Sequence, residues 1–187
     1  MEIKVRIPEN VNDITLGQYQ RFTDVLKKDY SDYALLIRKI AIFTGLTLEQ
    51  CKELTQKDLE SINEDINKAL QEEPKFLNRF FIGDVEFGFI PNFDKIKGKE
   101  YFDLSEYANK EEYLHNLMAI LFRPILNKGI GNTYTIIDYE GTEKYANIMK
   151  LMPLGAVNGS LAFFLTLQKE LSNHILKYTE AEQVKEK

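Results

Sequence analysis

The chain has 187 residues, 44% of them hydrophobic and 12% aromatic, which is material for a buried core and argues against intrinsic disorder. Its 24 basic residues stand against 29 acidic ones, a formal net charge of −5 that weighs against a general nucleic-acid binder. The single cysteine, Cys51, excludes an intramolecular disulfide and a multi-thiolate zinc site, and suits a reducing compartment.

In chain order, "IKVRI" places Ile3, Val5 and Ile7 on one side and Lys4 and Arg6 on the other, predicting a half-buried strand closed by Pro8. No signal-peptide core is expected from "MEIKVRIPEN". Thr15-Leu-Gly-Gln18 fits a capping box and opens a helix over 16–28. A second helix spans 31–44, with Gly45 placed to stop it. Thr47-Leu-Glu-Gln50 opens a short helix. Thr55-Gln-Lys-Asp58 opens another running to Glu72, with Leu59, Ile62, Ile66, Ala69 and Leu70 at helical spacing.

After Pro74 the period changes. In "FLNRFFIGDVEFGFI", two apolar-aromatic runs flank Gly83-Asp84, a two-residue loop with glycine first, as a type II′ hairpin turn prefers. Val85, Phe87 and Phe89 share one face. Past Pro91 come a turn and a short helical piece. Asn109-Lys-Glu-Glu112 then caps a helix over 110–122 that Pro124 ends. "NKGIGN" reads as a loop and "YTIID" as a strand or a helix entry. Thr142 caps a helix to Leu151, and Pro153 starts a long one to Tyr178. The tail over 179–187 is polar and frayed. The longest apolar run, 154–167, falls short of the roughly 20 residues of a membrane span.

The last helix carries a heptad-like seam: Leu154, Val157, Leu161, Phe164, Gln168, Leu171, Ile175 and Tyr178. Beside it, Gly155, Ala156, Gly159 and Ser160 are small enough to let another backbone approach. A loose echo pairs Asp13 and Gly17 with Asp94 and Gly98, and "LIRKIAIF" with "LHNLMAIL"; it concerns architecture rather than chemistry.

Reactive groups are sparse. His115 and His174 lack ligand-spaced partners, so no metal is expected. Cys51 follows a capping box and reads as a small semi-buried residue. "KGIGN" lacks the elements of a dinucleotide loop or a P-loop. Lys95, Lys97 and Lys99 read as a solvated turn.

The stretches "ITLGQYQRF", "VEFGFIPNFDKIKGKEYFDLSEY", "LMAILFRPI", "YTIIDYEG" and "MPLGAVNGSLAFFLTLQKELSN", spread over most of the chain, resemble a family encoded by tailed bacteriophages of Bacteroides-type bacteria, including crAss-like phages. The resemblance lies in pattern and order. It implies a tail or virion-assembly role without enzymatic chemistry, and carries no catalytic residues.

The expectation is therefore a predominantly α-helical α+β chain, one domain over 1–187 with sub-lobes at 1–74 and 75–180. A small antiparallel sheet with a β-hairpin packs on a helical bundle, and the long C-terminal helix is central. The expected function is a non-enzymatic phage structural or assembly protein, located in the virion or in the host cytoplasm during assembly. Its expected partners are other phage structural proteins or a second copy, not membrane or nucleic acid, and it takes no cofactor. Candidate partner-binding residues are Phe87, Phe89, Tyr101, Phe102, Tyr107, Phe163 and Leu167. The alternatives are an assembly chaperone that leaves the particle, a small enzyme using Cys51 or an acidic pair, and an inhibitor of a host protein.

Overall fold

The computed structural model describes residues 5–73, 75–108 and 110–166. Leu167, His174, the seam from Gln168 to Tyr178 and the polar tail lie outside the described residues.

Capping chemistry sets the helices of the first half. Thr15 Oγ1 accepts from the Gln18 N–H at 3.2 Å and Gln18 Oε1 accepts from the Thr15 N–H at 2.9 Å, opening α1 (Leu16–Leu26). The same glutamine's Nε2 donates to the Ile42 carbonyl at 3.0 Å, so the cap also ties α1 to α2 (Asp32–Thr44). Helix α2 stops at Gly45, whose φ of 78° is the left-handed value that favours glycine. A second box, Thr47 with Gln50, opens α3 (Leu48–Lys52). Thr55 caps α4 (Gln56–Gln71), whose Leu59, Ile62, Ile66 and Ala69 are all buried. Lys39 crosses from α2 to α4, donating to Asn63 at 2.7 Å and to Asn67.

The sheet has the order β1-β2-β3-β4 and is antiparallel throughout. Strands β1 (Arg79–Ile82) and β2 (Val85–Phe89) form the expected hairpin, closed by Gly83 at φ 56° while Asp84 keeps a negative φ, as a type II′ turn requires. Helices α5 (Gly98–Tyr107) and α6 (Leu114–Leu121) follow, α6 entered through a single 3-10 turn at Glu111–Tyr113. The chain then passes without a loop into β3 (Phe122–Lys128), pairs with β4 (Tyr134–Ile136), and continues through α7 (Glu143–Met149) into α8, helical over 154–166.

Strand β3 departs from expectation, and Pro124 explains why. Proline forces the residue before it out of helical geometry, so α6 ends before Arg123 and the chain runs on extended. A proline survives in this central strand because of its register. The Ile90 N–H donates to the Leu121 carbonyl at 2.9 Å, so by antiparallel alternation the Phe87–Pro124 pair carries no ladder bond. The missing N–H faces the end of β4, where the Pro124 carbonyl still accepts from the Ile137 N–H at 3.1 Å. The expected N-terminal strand is a second correction over the residues described, Ile3 and Lys4 lying outside them. Residues 5–7 alternate in exposure but form no strand, because no described strand lies beside them to complete a ladder.

Helix α8 is central. Its first two turns are enclosed: Ala156, Val157 and Ser160 are fully buried, and small residues take close backbones. A methyl group at Gly159 would lie 2.5 Å from the Lys75 carbonyl oxygen, and one at Gly155 would run into Asn12 and Val11. The entry to α8 is stitched to the start of α1. The Leu154 N–H donates to the Ile14 carbonyl at 2.8 Å, and the Leu16 and Gly17 N–H groups donate to Met152 at 2.9 Å and Lys150 at 2.8 Å. Gly17 therefore has a packing role, its would-be Cβ 3.0 Å from the Lys150 carbonyl oxygen. Gly98, its partner in the sequence echo, faces open space. Buried residues of both halves of the chain form one cluster, from Val11 to Phe164. No described helix is long and apolar enough to cross a membrane.

Candidate interaction surface

On the inner face of the sheet, alternation directs Phe80 and Phe87 toward the helices, their rings stacked 5.8 Å apart, with Phe122 5.0 Å from Phe80. Phe89 continues the face at 5.1 Å from Phe122. Phe87 and Phe89 are 1% and 4% exposed, so these two expected partner-binding residues are core. Their sequence neighbours show why. Phe87 and Phe89 turn to the helices and Glu86 and Gly88 to the other face, while Val85, at the turn end of the phenylalanine face, stays 46% exposed.

The structure brings Phe89 and Phe163 together at 5.6 Å, with a residue sequence reasoning passed over. Phe76, in the extended approach to β1, stacks on Phe163 at 4.7 Å and meets Phe89 edge-on at 5.1 Å. Phe76 and Phe163 each remain 40% exposed. They rim a groove of about 650 Å³ whose floor is Phe89 and Phe93 and whose far wall is Tyr134 with Asn132 and Thr133. Gly159 is what lets the Lys75–Phe76 backbone lie against α8 and bring these rings into contact. No local motif announces this, because the pairing depends on a helix and a strand approach far apart in sequence. Tyr101 and Phe102 are 67% and 66% exposed on α5, away from the groove's lining. Tyr107 is partly buried and lies 5.6 Å from Tyr113.

Behind Tyr134, a second hollow of about 400 Å³ is lined by charged groups. Arg123 Nη2 donates to Glu100 Oε1 at 2.7 Å, with both residues buried. Burial opposes both charges: it pushes the Glu100 carboxyl up, against the pull of Arg123, and the Arg123 guanidinium down, against the pull of Glu100. The Arg123 guanidinium lies 5.7 Å from the centre of the Tyr139 ring. The Tyr139 hydroxyl donates to Asp103 Oδ2 at 2.6 Å, and burial together with that carboxylate drives its titration far above the usual phenol range. The cluster is a strut between α5 and β3 in which Arg123 and Glu100 pair through Nη2, while the buried Arg123 Nε has no hydrogen-bond partner among the described residues.

The remaining reactive residues are similarly occupied. Cys51 is fully buried and burial pushes its thiol up, away from the thiolate that a nucleophile needs. His115 Nδ1 lies 3.1 Å from Gln20 Nε2, and burial, then Lys150, pushes the imidazole down toward the neutral form. Among the described residues no group of three or more His, Cys, Asp or Glu side chains is placed to hold a metal ion. A further hollow of about 720 Å³, between the start of α1 and Lys150, is an open groove of mixed polar and apolar lining.

No protein-family model matches this chain, and no curated protein or solved structure matches it either.

Proposed function

We propose that this chain is a bacteriophage virion or tail-assembly protein that acts by binding other polypeptides, in the particle or in the host cytoplasm while the particle is built. The observation that carries the reading is the Phe76–Phe163 stack. Two aromatic rings are held in fixed contact yet each remains 40% exposed, on the rim of a groove with an aromatic floor. Rigid, half-exposed aromatics beside a concave surface are what anchors of protein contacts look like before the partner arrives. The sequence resemblance to phage tail and assembly proteins supports the same reading, as do Cys51 and His115, whose surroundings suppress nucleophilic and proton-transfer roles.

The test has two parts. Mass spectrometry of purified particles beside infected-cell lysate separates a virion component, present at fixed copy number, from an assembly chaperone found in the lysate alone. Phe76→Ser with Phe163→Ser should leave the far-ultraviolet spectrum intact and abolish complementation of a deletion phage. Full complementation by that folded double variant overturns the reading of the groove.

A further inference from the structure

We propose that the outer edge of β1, which no described strand covers, pairs antiparallel with the same edge of a second copy of this chain, joining two four-stranded sheets into one of eight strands. Strand β1 ends the sheet order, and β2 is the element packed against it. The direction of its backbone groups follows from the hairpin. Ile82 and Val85 flank a two-residue turn, and the Asn78 carbonyl accepts from the Phe89 N–H at 2.9 Å. Asn78, Phe80 and Ile82 therefore turn their N–H and C=O groups toward β2, and Arg79 and Phe81 turn theirs outward. Among the described residues, no backbone group bonds to those of Arg79 or Phe81.

Exposed edges are ordinarily blunted by proline, by a bulge, or by a charge projecting across them. Strand β1 has no proline, and its register with β2 is unbroken. Its one charge, Arg79, is engaged on the sheet itself, with Asn132 Oδ1 at 3.0 Å and Glu86 at 3.9 Å. Beside it Phe81 is 62% exposed. What fits an apolar edge with outward backbone donors and acceptors is another extended backbone.

A second copy satisfies the edge in one register above the others. With Phe80 opposite Phe80 across the two-fold, Arg79 of each copy faces Phe81 of the other. Both outward residues are then bonded twice, and each exposed Phe81 ring comes beside the aliphatic stem of the other copy's Arg79, whose guanidinium stays on its own sheet. Sliding to Arg79 against Arg79 sends Phe81 opposite Leu77, outside β1. Sliding to Phe81 against Phe81 sends Arg79 opposite the Gly83 turn and loses its bonds.

The pairing rests on the reading of this chain as one that works by contact; a solution monomer overturns the pairing and leaves the particle test above untouched. The experiment is sedimentation velocity on the full chain from low-micromolar to sub-millimolar concentration, with amide hydrogen exchange at Arg79 and Phe81. The expected result is a monomer–dimer equilibrium, with both amides exchanging fast in dilute samples and slowly in concentrated ones. Phe81→Pro removes an outward N–H and no ladder donor, so it should keep the monomer's circular dichroism and weaken dimerisation by at least about tenfold. Phe81→Lys, which keeps the N–H and adds a charge at the edge, should do the same and serves if the proline variant misfolds. A monomer at every concentration overturns the proposal, as does a dimer that both variants leave unchanged. Amides already slow in the dilute monomer, meaning that the chain's own residues cover the edge, also overturn it.

Discussion

Replacing Arg123 with methionine removes the positive half of an ion pair and keeps most of the side chain's volume. Glu100 is 3% exposed; burial pushes its carboxyl up, and the guanidinium 2.7 Å away is the largest influence favouring the charged form. Leaving such a charge buried without its partner costs about 3–5 kcal/mol, where removal of both charges together is close to neutral. For a chain of this size, that corresponds to roughly 6–20 °C in Tm. The cost has a pH signature. Burial already raises the Glu100 pKa above its unfolded value, and loss of Arg123 raises it further. The folded state then binds more protons than the unfolded one between the two values, so stability falls as pH rises through that window and is recovered below it. Thermal denaturation of wild type, Arg123→Met and Arg123→Met/Glu100→Gln at pH 4.5 and pH 8 measures all of this. The single variant should show its full deficit at the higher pH, a smaller one at the lower, and substantial recovery when Glu100 is also neutral. A deficit independent of pH, or a double variant no better than the single, refutes the account of the pair as buried and mutually dependent.

Three further outcomes follow from the packing and the caps. Gly159→Ala drives a methyl group into the Lys75 carbonyl and should cost about 1–3 kcal/mol in urea denaturation, whereas Gly98→Ala meets nothing and should be neutral or stabilising by about 0.4–1 kcal/mol. Thr15→Ala removes the cap of α1 and should cost about 1 kcal/mol in the same assay, with α1 amides exchanging faster. His115, held toward its neutral form, should titrate below the ordinary imidazole value of about 6.5 when followed by NMR, and stability should fall as pH drops through that range; a midpoint at or above the ordinary value contradicts its burial beside Lys150.

The helices of the first half were legible because their signals are local. A threonine and a glutamine three residues apart satisfy each other's backbone wherever the rest of the chain goes, and Gly45 and Gly83 sit where a positive φ is required. Strand β3 was hidden because Pro124 is a strong stop signal for a helix and a weak start signal for a strand. Its tolerance depends on register against β2 and β4, which no local window contains. The period of Val5-Arg6-Ile7 reported correctly which side chains turn inward, but a strand also needs a neighbour. The candidate surface divides the same way. Phe163 kept its exposure, Phe87 and Phe89 went to the core, and Phe76 joined only because a glycine two helical turns before the end of the described α8 admits its backbone.

Tyr134 has a role beyond lining the two hollows. Its ring lies over Gly88, where any Cβ would collide with it, and its hydroxyl reaches the Phe89 carbonyl at 2.9 Å and the Asn78 carbonyl at 3.1 Å. A residue of the last strand thus clasps the first two across the third. Three-residue β4 cannot peel away without releasing the hairpin's own terminus, so the four strands gain and lose order as a single plate. Closing that clasp brings together positions 56 apart in the chain, a loop-closure cost that the two-residue β1–β2 turn does not carry.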